Sequence, residues 1–290
     1  MSDLIDDFYT ARNLLYLGAF TQALDNLSAL PPSASNDVEL KSLQYRAHLS
    51  LGNKALVLGE IPPTTTNPTL QALRCLALQD ATGALQELIK ARENLQSPTF
   101  VVIAAQALVA AGQTDEALGL LDMHPRSLEC TALTTAIYLK MDRLDLAQKL
   151  VARVRVWAED APIAQLAEAW TALAEGGGQR YNEAYYVFME LAQASAVSTA
   201  RLYCALAVTK LHLAQYEEAQ SLLQSALEVD PDDPDTLANL AVCSSFTQSA
   251  EARARYLERL AQVAPSHPFI RDLAQADARF DDALLAVESK

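Results

Sequence analysis

His48, His124, His212 and His267 are the only imidazoles in the chain, and their spacing decides what chemistry they can do. Two histidines four residues apart on a helix present two nitrogens to one metal ion, and an HExxH run adds a general base. Neither arrangement occurs, so each imidazole reads as a turn, surface or packing residue. Cys75, Cys130, Cys204 and Cys243 lack CxxC spacing and stand in apolar helical patterns, which points to reduced, packed thiols. No serine occupies a GxSxG turn. Glu217-Glu218 and Asp281-Asp282 are adjacent acids, but neighbours on a helix diverge by about 100° and cannot flank one substrate bond. The Gly176-Gly177-Gly178 triplet follows no strand and precedes no Lys-Ser or Lys-Thr pair, so it is no phosphate loop. The acids of "EVDPDDPDTLANL" lack the oxygen-ligand spacing and closing glutamate of a calcium loop. No cofactor or metal is expected from these residues.

The elements that carry these residues repeat. In "LYCALAVTKLHLAQYEEAQSLLQSALEVDPDDPDTLANLAV", residues Tyr203, Leu206, Ala207, Tyr216, Ala219, Leu223, Ala226 and Pro231 follow the tetratricopeptide pattern of two antiparallel helices. A shift of 34 residues returns Leu237, Leu240, Ala241, Leu257 and Pro265, although Ala219 falls on Arg253. The same grammar recurs as "GAFTQAL", "GQTDEAL", "MDRLDLAQKL", "QRYNEAY" and "AQYEEAQ", with marker alanines at Ala23, Ala117, Ala147, Ala184 and Ala219. From Ala117 onward the markers stand 30, 37 and 35 residues apart, each about one helix pair. "GNKALVLGEIPP" and "DATGALQELIKA" supply degenerate units. A small marker lets two helices approach closely, while residues three, four and seven later form an apolar stripe that a neighbour must cover. An ordinary helical bundle also uses small residues at crossings, and the irregular early intervals keep that alternative in view.

The fold expected is all-α, a right-handed alpha-alpha superhelix of tetratricopeptide-like repeats forming a single solenoid domain over residues 1–290. Residues 1–270 make the array, and Asp272 to Val287 packs as a terminal helix over the last repeat. Ser2 or Asp3 begins the first helix, Pro31-Pro32 ends the first pair, and Asn36 or Asp37 caps the next helix. Helices resume near Pro68, at Pro98 after Ser97 and at Pro162, while Pro125 follows a helix end. The glycine triplet is read as a long turn inside one pair. Asp232, Asp233 and Asp235 accept hydrogen bonds at the start of a helix. "FVVIAAQALVAAG" reads as a buried helix, and Tyr185, Phe188 and Met189 share an apolar side that leaves Tyr186 amphipathic.

With 36 acidic against 22 basic side chains the formal charge is -14, the wrong sign for displacing phosphate counterions, so nucleic acid is not an expected partner. The opening "MSDLIDDFYTARNLLYLG" lacks the basic lead and apolar run of a secretory signal, and no run approaches the roughly 20 apolar residues of a membrane span. A cytoplasmic interaction scaffold without direct membrane insertion is the reading that remains. First helices of such pairs supply an inner wall. On the helix Leu202 to Leu213 the face not spent on its partner includes Cys204, Val208, Leu211 and His212, an apolar wall suited to an ordered partner segment. Tyr138, Val208 and Leu211 are the expected protein-binding contacts on the inner wall. The alternatives are a tetratricopeptide cochaperone, whose basic clamp is not evident in "RLYCALAVTKLHL", and an enzyme with a dispersed site.

The whole chain resembles the epsilon-subunit family of coatomer, the cytosolic coat of Golgi-derived transport vesicles (COPI). The resemblance rests on "DLIDDFYTARNLLYLGAFTQAL", "VVIAAQALVAAGQTDEALGLL", "YNEAYYVFMELAQ", "AQYEEAQSLLQSALEVDPDDPDTLANLAV" and "SHPFIRDL", in consistent order over nearly the full length. It implies a nonenzymatic structural subunit whose helical repeats encircle a protruding piece of the alpha subunit's carboxy-terminal domain. The remaining coatomer subunits are met indirectly, in Golgi-to-ER retrograde and intra-Golgi transport, peripheral to Golgi membranes and coated vesicles.

Overall fold

A computed structural model describes residues 8–30, 38–79, 83–194, 198–247 and 249–288. Every regular element among these residues is helical: α1 (Tyr9–Leu17), α2 (Phe20–Ser28), α3 (Val38–Ser50), α4 (Lys54–Glu60), α5 (Pro68–Leu78), α6 (Ala84–Lys90), α7 (Pro98–Ala110), α8 (Thr114–Leu121), α9 (Leu128–Lys140), α10 (Leu144–Ala158), α11 (Pro162–Glu175), α12 (Gly178–Ala194), α13 (Ala200–His212), α14 (Tyr216–Val229), α15 (Pro234–Phe246), α16 (Ala250–Val263) and α17 (Pro268–Glu288), with one 3-10 turn at Asn94–Gln96. The boundaries expected at Ser2, Asp3, Pro31-Pro32, Asn36 and Asp37 lie outside the described residues.

One turn geometry explains the recurring grammar. Gly18, Gly52, Gly112, Asp142 and Ala214 all adopt left-handed φ, between 58° and 86°. After each, the next backbone N–H reaches five residues back: Ala19 to Leu14, Asn53 to His48, Gln113 to Leu108, Arg143 to Tyr138 and Gln215 to Lys210, at 2.8–2.9 Å. This Schellman closure satisfies carbonyls orphaned at the helix end and reverses the chain into the second helix. Five residues beyond each left-handed position come Ala23, Val57, Ala117, Ala147 and Ala219, and every one is fully buried. The turn therefore fixes the phase of the small residue at the helix crossing. Ala184 is buried equally well, but its helix follows the glycine triplet: Gly176 and Gly177 take φ of 81° and 93°, and α12 starts at Gly178. At Arg253 the repeat departs from its pattern, and the side chain is exposed.

Proline and side-chain caps start the first helices as expected. Ser97 accepts from the Phe100 N–H ahead of Pro98, and Asn67 accepts from Thr69 and Leu70 beside Pro68. Asp233 accepts from both the N–H and the hydroxyl of Thr236. Of its neighbours, Asp232 pairs with Arg259 and Asp235 with His267. Pro162 opens α11.

The chain divides into two compact units, Met1–Val187 and Phe188–Lys290. In the first, the leading helices of successive hairpins pack in order: α1 on α3, then α5, α7, α9 and α11, and α11 returns to α1, closing a ring. Helix α7 is apolar on all sides and buries Phe100, Val101, Val102, Ile103, Ala104, Ala105, Ala107 and Leu108, as a helix without a polar face must. In the second unit α13, α14, α15 and α16 pack successively around Cys204, Ala207, Ala219, Leu223, Leu240 and Cys243. Burial then thins, since α16 buries only Leu260 among its described residues. Helix α17 begins at Pro268, four residues before the expected start at Asp272, because proline suits the first helical turn. Phe269 and Ile270 pack against Leu237, Ala238 and Leu260, whereas Phe280, Leu284, Leu285 and Val287 are exposed.

Candidate functional site

The histidines are dispersed at helix ends and turns. His48 closes α3, His124 binds the Leu95 carbonyl at 2.7 Å in the turn after α8, His212 ends α13, and His267 precedes α17, 3.2 Å from Asp235. All four cysteines are free and buried, and burial pushes the Cys204 thiol up to about 11, away from reactivity. No group of three or more metal-ligating side chains gathers among the described residues. No helix there is long and apolar enough to cross a membrane.

Three protein-binding contacts were expected, and the structure places them in two units. Val208 and Leu211 lie three residues apart on α13, both half-buried. Leu211 packs against the cluster that joins α13, α14 and α15. Cys204, placed by sequence on the same open wall, is in that cluster's core and its Sγ accepts from Asn239 at 3.2 Å. The reason is that α15 packs on α13 as well as on α14, so the face left over by the hairpin partner is covered by the next hairpin. Val208 is thus the contact residue on α13 with the least assigned packing.

Tyr138 stands on α9 nine residues after Glu129, which at about 100° per residue puts the two on opposite sides of the helix. Glu129 points into the ring, where it pairs with Arg46 of α3. Tyr138 faces outward into a cleft of about 810 Å³, floored by Leu121, Leu146 and Leu150, with Lys149 and Arg153 on its rim. The inner-wall position expected for Tyr138 is therefore corrected to an outward one. Which side of α9 is inside depends on the return of α1 to α11, a contact that no residue near Tyr138 encodes.

The polar cluster at the ring junction escaped sequence reading. Arg46 is buried and bonds Glu129, while the Tyr16 hydroxyl of α1 donates to the same carboxylate. Burial, then the Glu129 charge, push the Tyr16 phenol well above its usual range. Burial alone would favour loss of charge from Arg46, but Glu129 outweighs it and holds the guanidinium protonated. Arg12, one turn before Tyr16, pairs with Glu39 of α3. Tyr16 also packs beside Ala132, Ile163 and Ala167 of α9 and α11. The available signal was Arg46 itself: it interrupts the stripe Leu40, Leu43, Ala47 at a position where a charge needs a partner.

A family model described as the coatomer epsilon subunit matches residues 4–288. Coatomer subunit epsilon-1 of Arabidopsis thaliana is 34% identical over 294 residues, covering 96% of both chains. Coatomer subunit epsilon of Caenorhabditis elegans is 28% identical and covers 96% of this chain and 97% of its own. Among solved structures, a chain of the APC/C hetero-tetramer Cut9-Hcn1 superposes with a TM-score of 0.64 at 13% identity, over 90% of this chain and 53% of that one. A tetratricopeptide repeat protein from Parabacteroides merdae gives 0.57 at 12% identity, over 91% and 94%. At such identities the structures speak for the all-α, tetratricopeptide-like fold alone. The end-to-end sequence match speaks for more: the chain belongs to the coatomer epsilon subunit family and is a component of the COPI coat.

Proposed function

We propose that the chain is a nonenzymatic structural subunit that binds and stabilises the carboxy-terminal domain of the coatomer alpha subunit. In this reading it supports Golgi-to-ER retrograde and intra-Golgi vesicle transport from the cytoplasmic side of Golgi membranes and COPI vesicles. The observation that carries the proposal is the family match over residues 4–288. Residues 1–290 act as one solenoid domain in this partnership, with the remaining coat subunits met through the alpha subunit. Val208, Leu211 and Tyr138 are its proposed contacts, the first two from α13 and the third through the outward cleft.

Affinity capture from cytosol followed by mass spectrometry tests the partner directly. Reproducible recovery of the alpha subunit together with other coatomer subunits is the expected result. Recovery of chaperones, or of no coat subunit, would contradict it. Val208→Asp, which sets a charge against an apolar contact, is expected to weaken alpha-subunit association while circular dichroism still reports a folded chain.

A further inference from the structure

We propose that the outward cleft on the first unit is a docking site for an acidic amphipathic helix of a partner protein. The proposal rests on the binding reading only in taking Tyr138 as a contact, and not on the identity of the alpha subunit. Helices α8 and α10 stand on either side of α9 and leave a trough of about 810 Å³ between them. Its floor is apolar, from Leu121, Leu146, Leu150 and the Tyr138 ring, and its length follows α10 for about two turns from Leu146 to Arg153. Two helices flanking a third present the surface on which a further helix lays an apolar stripe.

Charge selects the occupant. The chain carries a formal charge of -14, yet this rim presents Lys149 and Arg153 one turn apart on α10. Both are exposed, and neither lies within ion-pair distance of an acid among the described residues; Asp145, one turn before Lys149 and under the influence of its charge, is itself held by Arg143. Elsewhere the arginines of α10 and its leading turn are engaged: Arg143 with Asp145 and Arg155 with Glu159 and Glu168. A helix carrying carboxylates beside its apolar stripe meets both exposed cations at once, whereas a basic helix meets like charge there. Asp122 on the opposite rim gives the pair of walls a polarity that fixes which side of the incoming helix carries its acids.

The test uses the full chain and a fluorescein-labelled synthetic helix with leucines at i, i+3, i+4 and i+7 and glutamates on the flanking positions, read by fluorescence anisotropy. Saturable binding is expected, weakening by at least about tenfold in the Lys149→Glu/Arg153→Glu double variant and for the same peptide with lysines replacing glutamates. Added salt is expected to weaken it as well, because the rim charges are solvent-exposed. Tyr138→Ala is expected to reduce binding of the acidic peptide without changing the discrimination against the basic one. Lys149 and Arg153 are exposed and Tyr138 is half-buried, and circular dichroism is used to check that the variants at all three positions remain helical. Absence of saturable binding, equal binding of a scrambled peptide, or indifference to the double charge reversal would overturn the proposal. Association with the alpha-subunit domain is measured on the same proteins in parallel, so failure of the cleft and failure of the proposed function are read separately.

Discussion

The two units are built from the same hairpin but bury polarity differently. In the first, α1 returns to α11, and the junction encloses Tyr16, Arg46 and Glu129 from three helices. In the second, helices pack in chain order, and the buried polar residues among those described are Thr199, Thr209, Thr236 and Ser244. Each of these hydroxyls serves its own helix: Thr209 donates to Leu206, Ser244 to Leu240, Thr236 to its cap, and Thr199 caps α13. A stack needs only local rules, since every hairpin meets the one before it. A ring also needs its ends aligned, and an ion pair joining residues 83 positions apart penalises misalignment because a slipped register leaves a buried charge unpaired.

Breaking that pair is the largest effect expected. Arg46→Met leaves the Glu129 carboxylate without its cation and should cost about 3–5 kcal/mol in urea unfolding, whereas Arg46→Met with Glu129→Leu should recover most of the loss. A single-variant cost below about 1 kcal/mol would mean that the junction is held by apolar packing alone. In the second unit, Ala219→Phe forces a large ring into the α13–α14 crossing, where the alanine is fully buried, and should cost roughly 1–3 kcal/mol. An unchanged melting curve would contradict the crossing.

Tyr16→Phe sharpens the comparison with pH. The folded phenol titrates above its ordinary value of 10.0, so the stability it contributes is complete below pH 10 and is lost as pH rises further, when the unfolded chain ionises first. The phenylalanine variant should lose about 1 kcal/mol at neutral pH through the missing hydrogen bond to Glu129 and should show a weaker alkaline decline than the parent. Identical alkaline profiles would remove Tyr16 from the junction. The smallest effect concerns the shared turn. Ala214 holds φ at 58°, a conformation that costs an alanine about 1 kcal/mol, so Ala214→Gly should raise the melting temperature of the chain. Gly112→Ala at the matching turn of the first unit has open space around the added methyl, so its expected loss of similar size comes from the backbone.

These turns also mark how far sequence reading reached. A left-handed residue followed five positions later by a small one is a local pattern, so Ala23, Ala117, Ala147 and Ala219 were legible, and so were the caps at Pro98 and Pro162. Gly176-Gly177-Gly178 was legible as the break between α11 and α12 because glycine tolerates positive φ. What failed was long-range. Nothing in "LQYRAHL" names Glu129 as the partner of Arg46, and nothing near Tyr138 tells which side of α9 faces the ring. Cys204 is expected on an open wall when one hairpin is considered alone, and the next hairpin covers it, while Leu211 stays half-buried against the same cluster. The cover of the last repeat expected from Asp272 to Val287 is not made by that segment: Phe269 and Ile270, ahead of it, pack against the repeat, while Phe280, Leu284, Leu285 and Val287 are exposed.

The central claim, that this member of the coatomer epsilon family is a partner-bound structural subunit, is tested most directly with purified components. The chain and the carboxy-terminal domain of the alpha subunit are mixed, and their mass is followed by size-exclusion chromatography with light scattering. A stable complex containing both proteins, which Val208→Asp shifts toward its separate components, is the expected result. Two independent peaks from folded proteins at every concentration tried would contradict it.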